Sequence, residues 1–233
     1  MTKKELEQKA LLRLRNTGTL ENFIAVLGAR LEPTKEMFAN YRCAAMQVET
    51  KFKVLDEQFS VQYDANPIQN IQTRIKSYDS IMRKLVRKGF PLTLDSIQEN
   101  LNDVAGVRVV CTFEDDLYRL ANVLLSQDDV HLVEIRDYIS EPKESGYRSL
   151  HLIVEVPIFR EDGRIMVRVE VQLRTSAMDF WASMEHKLQY NKDLDPEISA
   201  HIEGELQECA RISADLDSRI QSVKDWIVKG EER

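Results

Sequence analysis

The sequence predicts a mixed α/β domain of the α+β class, in which a mixed five-stranded sheet is flanked by helices. Two observations carry this prediction. Five runs rich in β-branched and other apolar residues lie in the middle of the chain, and helical apolar spacing dominates both ends. The hydrophobic fraction of 43% is ordinary for a globular chain that buries a core.

The N-terminal part is predicted to be helical on both sides of Pro33. Residues 1 to about 30 have the pattern of short helices. Pro33 should separate them from one long helix over residues 34–59, because proline interrupts helical hydrogen bonding. Residues 60–67, SVQYDANP, are expected to form a loop. In the long helix, apolar side chains recur three or four positions apart at Phe38, Tyr41, Ala45, Val48, Phe52 and Leu55.

Local patterns predict the central elements. IQTRIK, residues 71–76, alternates as a strand does. Ser77 is placed to cap a helix over residues 78–88, which Gly89 should end. Further strands are predicted at 107–113, 131–138, 149–156 and 166–173, with a hairpin turn at Asp162-Gly163 and helices at 94–100, 115–126, 177–190 and 196–229.

Composition excludes several classes of protein. No run of about 18 apolar residues occurs, so no membrane span is expected. The charged N-terminus lacks the apolar centre of a secretory signal. Three cysteines without metal-type spacing indicate a reducing cytoplasm, with Cys43 and Cys111 as core thiols. The net charge of −7 argues against a general nucleic-acid binder, so no stable nucleic-acid partner is expected.

A cluster of cations surrounds the first strand and the helix after it. No GxxxxGK[ST], GxGxxG, HExxH or GxSxG motif occurs, so a phosphate site must be built from side chains. Arg74 and Lys76 share one strand face, where they suit triphosphate oxygens, and an arginine plane also stacks on a base. Arg87 and Lys88 are expected to be merely solvated. The helix also carries Ser80, Arg83 and Lys84.

Two carboxylates lie at or beside predicted strands. Asp103 comes just before a buried strand, where it is either a turn residue or a metal ligand. Glu170 lies in VRVEVQLR with Gln172 on the same face. That face is either solvated or suited to activating a hydroxyl, with Glu170 as general base or second metal ligand. Arg108, inside the apolar run VRVV, needs a partner.

The polar loop KESGYRSLH joins two predicted strands. Tyr147 is either a core tyrosine or a platform on which a base stacks. On the second interpretation, Lys143 and His151, with Arg136 upstream, meet phosphates. Arg148 has no assigned role beyond bracing the loop. Together, the two cationic sites, the aromatic platform and the two carboxylates suit a magnesium-dependent transfer of a phosphoryl-type group between two nucleotides.

Four segments resemble a known family, in the same order, between about residues 66 and 192: NPIQNIQTRIKSYDSIMRKL, LNDVAGVRVVCTF, RDYISEPKESGYRSLHLIVEVP and VEVQLRTSAMDFWASMEHKLQY. The chain resembles the small alarmone synthetases, single-domain (p)ppGpp synthetases related to the synthetase half of the long stringent-response enzymes. The resemblance implies a nucleotidyltransferase-like sheet. It also implies that pyrophosphate moves from ATP to the 3′-hydroxyl of GDP or GTP, sometimes GMP, with Mg²⁺, and that AMP is released.

The resemblance further implies roles for individual residues. Asp103 and Glu170 would hold the magnesium ion, and Glu170, with Gln172 nearby, would activate the 3′-hydroxyl. The ATP site would comprise Arg74, Lys76, Ser80, Lys84 and Arg108. The GDP or GTP site would comprise Arg136, Lys143, Tyr147, His151 and Asp179.

The resemblance also implies an organisation. Residues 34–192 would form the synthetase domain, and residues 193–233 a helical segment for assembly as a homotetramer. Residues 1–33 would be a helical extension without a clear family counterpart. Some members bind (p)ppGpp through an aromatic residue at a position that is Asn70 here. The long enzymes carry a hydrolase marked by a His-Asp pair, and because this dipeptide is absent, synthesis without degradation is predicted.

Two alternatives stay open. The acceptor could be the 3′ end of tRNA, for which the basic helix face would be the contact, although the net charge of −7 argues against it. The chain could also be an inactive nucleotide-binding or RNA-binding module. The presence of both Asp103 and Glu170 favours an enzyme.

Overall fold

The structure is a computed structural model that describes residues 20–63, 66–188 and 195–231. Of the short helices expected over residues 1 to about 30, residues 1–19 lie outside this part, and residues 20–30 belong to a single long helix. The last two residues of the predicted helix 177–190 also lie outside the described part. The chain divides into two compact units, residues 1–40 and 41–233. Within the described ranges, no helix is long and apolar enough to cross a membrane.

Helix α1, Leu20–Tyr63, contains Pro33 in its interior. The predicted break at Pro33 is therefore wrong, as is the predicted loop at residues 60–63. One proline costs a helix about 3 kcal/mol. A long helix tolerates this cost because all of its remaining turns keep their hydrogen bonds. In the second unit, α1 buries the predicted apolar row: Tyr41, Ala45, Val48, Phe52 and Leu55.

Five strands form one mixed sheet, as predicted, in the order β1-β2-β5-β4-β3. Strands β2 and β5 are parallel, and the other neighbours are antiparallel. The parallel pair sets Gly106 opposite Glu170 and Arg108 opposite Gln172, so predicted site residues of two strands are neighbours. The strands are β1 Ile68–Ile75, β2 Ala105–Cys111, β3 His131–Asp137, β4 Leu150–Arg160 and β5 Gly163–Thr175.

The helices around the sheet begin and end close to the predicted residues. Helix α2, Tyr78–Lys88, follows Ser77, whose hydroxyl accepts a hydrogen bond from the backbone N–H of Ser80. It ends at Gly89, whose φ of 72° is left-handed. The other helices are α3 Leu94–Asn100, α4 Glu114–Leu125, α5 Ser176–Leu188 and α6 Pro196–Glu231.

Strands β4 and β5 extend further than predicted because they form one tight hairpin. Arg160 pairs with Gly163, which leaves Glu161 and Asp162 as a two-residue loop. Alternation along β5 separates the core from the polar face of the sheet. Its apolar members are buried: Val167, Val169, Val171 and Leu173. Its polar members stay partly accessible: Arg168, Glu170 and Gln172.

The expectation for the cysteines is half right. Cys111 is buried in β2, whereas Cys43 is exposed on α1. Cys43 falls outside the spacing of three or four residues that defines the buried face of this helix.

Candidate active site

A cavity of about 210 Å³ opens on the polar face of strands β1, β2 and β5. Gly106 of β2 pairs with Arg74 on one side and with Glu170 on the other, so residues far apart in sequence share this face. Six of the predicted site residues line the cavity: Arg74, Lys76, Asp103, Arg108, Glu170 and Gln172. The structure therefore brings together the two carboxylates and most of the predicted ATP site.

On the β1 side, two lysines hold one carboxylate. Lys76 and Lys84 both donate to Asp103 Oδ2, the second at 2.7 Å. Burial opposes ionisation of Asp103, but the hydrogen bonds and charges of the two ammonium groups outweigh it and lower the pKa below its usual value. Between 17% and 21% of each of these side chains is exposed, and Lys76 lines the cavity, where it can meet a phosphate.

The remaining predicted ATP residues lie around this group. Ser80 lies in the first turn of α2, where the Ser77 hydroxyl donates to its Oγ at 2.9 Å. Neither Ser80 nor Lys84 lines the cavity, and Lys84 reaches the site through Asp103. Arg87 and Lys88 are exposed, in agreement with the prediction that they are solvated.

Glu170 lies at the centre of the polar face and is oriented by two neighbours. Gln172 Nε2 donates to Glu170 Oε2 at 2.8 Å, and His151 Nδ1 lies 3.5 Å from Oε1. Burial alone would raise the pKa of Glu170, but His151 and Gln172 lower it below its usual value. The group is therefore a carboxylate at neutral pH. It can accept a proton from a hydroxyl or ligate a cation.

The two carboxylates fit a magnesium ion. Asp103 Oδ1 is buried and has no hydrogen-bond partner among the described residues, so a carboxylate oxygen is available as a ligand. Asp103 and Glu170 line the same cavity, and the charge of Asp103 acts to raise the pKa of Glu170. No group of three or more candidate metal ligands occurs in the described part of the chain. Mg²⁺ usually needs only one or two protein carboxylates, because substrate phosphates and water complete its shell.

On the β4 side, Tyr147 stands in a cluster of rings. The ring centroids of Tyr138, His151 and Trp181 lie 5.9, 5.8 and 6.5 Å from that of Tyr147. Lys143 Nζ lies over the Tyr147 ring, 4.7 Å from its centroid. Tyr147 is thus packed by neighbours, and its ring still attracts a cation. Tyr138 and Trp181 had no predicted role, because only the fold brings them to this ring.

Arg174 joins the ring cluster to the strand face, and no sequence pattern assigned it a role. Its guanidinium donates to the Tyr147 hydroxyl at 2.5 Å, to Gln172 Oε1 at 2.9 Å and to Asp179 Oδ1 at 3.1 Å. The side chain is only 5% exposed. The signal that identifies Arg174 is alternation, since it follows Glu170 and Gln172 on the same face of β5.

The other two predicted acceptor residues are engaged by partners. Asp179 Oδ1 lies 3.2 Å from Arg108 Nη1, in addition to its bond with Arg174. Arg108 thereby finds the partner that its place in an apolar strand required, although its Nε is buried without a hydrogen bond among the described residues. Arg136 instead pairs with Glu134 on its own strand, through bonds of 2.7 and 2.8 Å.

Comparison with known proteins identifies the family of the chain. A family model described as a region found in RelA / SpoT proteins matches residues 73–195, which is more than half of the chain. The chain belongs to the RelA/SpoT family. The Bacillus subtilis relative named GTP pyrophosphokinase YwaC is 39% identical over 194 residues, which are 83% of this chain and 91% of the relative.

Solved structures of RelA/SpoT proteins share the fold. Small alarmone synthetase 1 of Bacillus subtilis bound to its product pppGpp has a TM-score of 0.76 and 34% identity, with 84% of this chain and 98% of that chain covered. The same protein bound to AMPCPP has a TM-score of 0.72 and 31% identity, with coverages of 85% and 99%. The predicted resemblance to small alarmone synthetases is confirmed. The roles of single site residues stay predictions.

Proposed function

We propose that this chain is a (p)ppGpp synthetase, a diphosphokinase that moves pyrophosphate from ATP to the 3′-hydroxyl of GDP or GTP, with GMP as a further candidate acceptor. The observation that carries the proposal is the position of Glu170 between two unlike environments. Asp103 with its lysines lies on one side, and Tyr147 with its ring cluster lies on the other. Similarity to a GTP pyrophosphokinase and to a synthetase bound to pppGpp or AMPCPP supports the same chemistry.

ATP would occupy the cavity on strands β1, β2 and β5. Arg74 and Arg108 come from neighbouring strands and would sandwich adenine between planar guanidinium groups. Phosphate oxygens would draw the lysines away from Asp103, because charge-assisted hydrogen bonds to phosphate are strong. The triphosphate would thus meet the cationic and hydroxyl groups at the start of α2: Lys76, Ser80 and Lys84.

Asp103 and Glu170 would hold Mg²⁺. Two observations support this assignment: Asp103 Oδ1 has no hydrogen-bond partner among the described residues, and the pKa of both carboxylates is lowered. When bound, the ion neutralises charge on the phosphate oxygens. Lys76 and Lys84 add positive charge next to it, so the chain itself supplies part of the electrostatic stabilisation.

Glu170 would act as the general base. It accepts the proton of the 3′-hydroxyl, whose oxygen bonds to the β-phosphorus of ATP. At the same time the bond breaks between the β-phosphorus and the oxygen that bridges it to the α-phosphorus, and AMP leaves with this oxygen. Gln172 orients the carboxylate through its bond to Oε2.

The acceptor nucleotide would bind against the ring cluster. Tyr147 would stack on guanine, which is worth about 1–3 kcal/mol per base. Lys143 and His151, with Arg136 on the neighbouring strand, would meet the phosphates of the acceptor. Asp179 would accept from guanine N1–H and N2–H, and its two arginines would hold it in place.

Assembly as a homotetramer through the terminal helices, in the cytoplasm where ATP and guanine nucleotides are available, completes the proposal. A row of apolar side chains at helical spacing on α6 is exposed and supports contact with a second copy of the chain. These residues are Ile212, Leu216, Ile220, Val223, Trp226 and Ile227. Light scattering after size-exclusion chromatography should give four copies, and a monomer would contradict this part.

A product assay tests the function. Purified protein is incubated with ATP, Mg²⁺ and either GMP, GDP or GTP, and the nucleotides are separated by anion exchange. Equal amounts of AMP and of a 3′-pyrophosphorylated guanine nucleotide are expected, and added ppGpp should stay intact because the chain lacks the His-Asp pair. If no acceptor gives product while a RelA/SpoT relative is active in the same assay, the proposal fails.

A further inference from the structure

Helix α6 holds the acceptor loop, defined here as residues 143–149. Gln207 Nε2 donates to the carbonyl of Glu144 at 3.1 Å. Gly146, with a φ of 87°, lies so close to Ala210 that a Cβ on the glycine would be 2.4 Å from the Cβ of Ala210. Glycine at this position therefore serves both the backbone turn and the close approach of α6.

Arg148 makes the strongest polar link between the loop and α6. Its Nη1 donates to Asp217 Oδ2 at 3.0 Å, and its Nη2 donates to Glu114 Oε2 at 2.6 Å. Asp217 also accepts from Thr175 Oγ1 at 2.9 Å, at the end of the strand that carries Glu170. Arg148 is 12% exposed and Asp217 is 4% exposed, so this ion pair is screened little by solvent.

A buried ion pair of this kind adds little to stability. Burial raises the pKa of Asp217, and the bonds from Thr175 and Arg148 do not fully compensate. Holding Asp217 ionised therefore carries a cost, and replacing a buried pair by other well-packed groups is often neutral for folding. The pair does fix the position of the loop, because a forked guanidinium between two carboxylates sets both the direction and the length of its hydrogen bonds.

The geometry that Arg148 fixes is that of Tyr147. The two residues share a peptide bond, so a shift of one backbone moves the other. The loop is closed on itself by bonds from Gly146 N–H to the carbonyl of Lys143 and from Lys143 N–H to the carbonyl of Tyr147. Trp181, whose ring packs beside Tyr147, is itself held by α6, since its Nε1 donates to the carbonyl of Leu206 at 2.9 Å.

We propose that Arg148 and Asp217 are positioning residues, whose ion pair makes α6 hold Tyr147 where the acceptor base stacks. This inference rests on the proposed function of the loop and goes beyond it by coupling acceptor affinity to the C-terminal helix. ATP binding should be independent of the pair, because the donor-side lysines Lys76 and Lys84 are held by Asp103.

The test compares two substitutions of the same kind on α6. Asp217→Asn keeps the size of the side chain and removes the buried charge. Asp215→Asn, two positions earlier, is the matched control, because Asp215 is 53% exposed and pairs with Arg219 on the same helix. Arg148→Lys is a second variant, since an ammonium group keeps the charge but loses the fork.

For Asp217→Asn, the KM for GDP should rise about tenfold, as expected for the loss of a hydrogen bond to a charged group. The dissociation constant for GDP from calorimetry should rise equally, while the KM for ATP stays close to wild type. The melting temperature should fall, because the buried Arg148 then keeps only Glu114 as a charged partner. Arg148→Lys should show a smaller rise in the same two quantities. Asp215→Asn should change none of them.

Three outcomes decide the matter. Unchanged GDP constants in Asp217→Asn, with active wild type, would overturn the inference. Lower turnover together with a lower melting temperature and unchanged KM values would also overturn it, because that pattern belongs to a merely structural pair. Absence of product from wild type would contradict the proposed function instead, and the calorimetric GDP constants would then still decide the role of the pair.

Discussion

The proposed cleft has two halves that are built in different ways. The donor half is the cavity on strands β1, β2 and β5, and the acceptor half is the ring cluster around Tyr147. On the donor half, Lys76 and Lys84 meet a single carboxylate, Asp103, through long side chains that are partly exposed. On the acceptor half, Tyr147 is packed among rings and its hydroxyl accepts from Arg174. The donor half therefore consists of charges that can exchange partners, whereas the acceptor half is a preformed surface.

Because of this difference, we expect the two substrates to bind in different ways. In the proposed function, triphosphate and Mg²⁺ would replace the internal ion pairs of the donor half, so the lysines and Asp103 would exchange one charged partner for another. On the acceptor half, a base would bind beside a ring whose position is already fixed, which would lower the entropy lost on binding. Glu170 belongs to neither half, because His151 links it to the ring cluster and the charge of Asp103 acts on it.

The largest expected effect is at the junction between the halves. Glu170→Gln should lower kcat by about 10²–10⁴-fold, the range for loss of a general base. Folding should be little affected, because Gln keeps the shape of the side chain. Steady-state kinetics and a melting curve measure both quantities. Glu155→Gln is the matched control, since Glu155 is a strand carboxylate paired with Arg168 and should leave kcat unchanged.

The next largest effect is on the donor half. Asp103→Asn removes the proposed magnesium ligand and the charge that holds two lysines, so kcat/KM for ATP should fall about 10–100-fold, the range for disturbing a metal site. The Mg²⁺ concentration for half-maximal rate should rise, while the KM for GDP stays constant. An equal rise in both KM values would show that the halves are not separate. Asp95→Asn, at an exposed position, serves as control.

A smaller effect is expected on the acceptor half when the ring is kept. Tyr147→Phe removes the hydroxyl that bonds to Arg174 and His151 but leaves the stacking face. The KM for GDP should rise about 3–10-fold, the usual weight of one hydrogen bond. An unchanged KM for GDP would mean that packing alone fixes the ring. Initial rates at varied GDP and saturating ATP provide the measurement.

The turn that enters the acceptor loop should weaken in acid. Burial opposes ionisation of Asp137, but bonds from the backbone N–H groups of Ser140 and Ile139 and from the Tyr118 hydroxyl lower its pKa. A lowered pKa means that its stabilisation is complete above the unfolded value of about 3.9 and is lost as pH falls through the folded value. Melting temperatures between pH 7 and pH 3 should fall less steeply for Asp137→Asn than for wild type.

The smallest effect should come from the basic end of α2. Arg87 is exposed, and Arg87→Ala should change the KM for ATP and for GDP by less than about twofold, as for most surface substitutions. A clear rise in the KM for ATP would extend the donor half to the end of this helix. A clear loss of binding to tRNA in a filter assay would instead favour the alternative acceptor.

The two halves also differ in how much of them the sequence predicts. Donor residues follow local rules: Arg74 and Lys76 alternate on a strand, Ser77 caps a helix, and Asp103 precedes a buried strand. Such signals need only a few neighbouring residues. The strand face of β5 is predicted for the same reason, because VRVEVQLR alternates along its whole length.

The acceptor half depends on contacts between distant segments, which local patterns do not encode. Trp181 reaches Tyr147 only because α5 packs beside the loop, and Asp217 reaches Arg148 across a sequence separation of 69 residues. Pro33 shows that a local rule can also be wrong, since proline predicted a break in the helix and the helix continues through it. In each case the packing of the whole chain decides the outcome.

The most direct test of the two-part cleft is a crossed measurement on two variants. Arg74→Ala should raise the KM for ATP and leave the KM for GDP unchanged, because Arg74 lines the donor cavity. Tyr147→Ala should do the reverse, with a rise in the KM for GDP of about 5–100-fold from the lost stacking. Each variant is measured against both substrates with the other held at saturation. If either variant raises both constants to the same degree, the division of the cleft into a donor half and an acceptor half is contradicted.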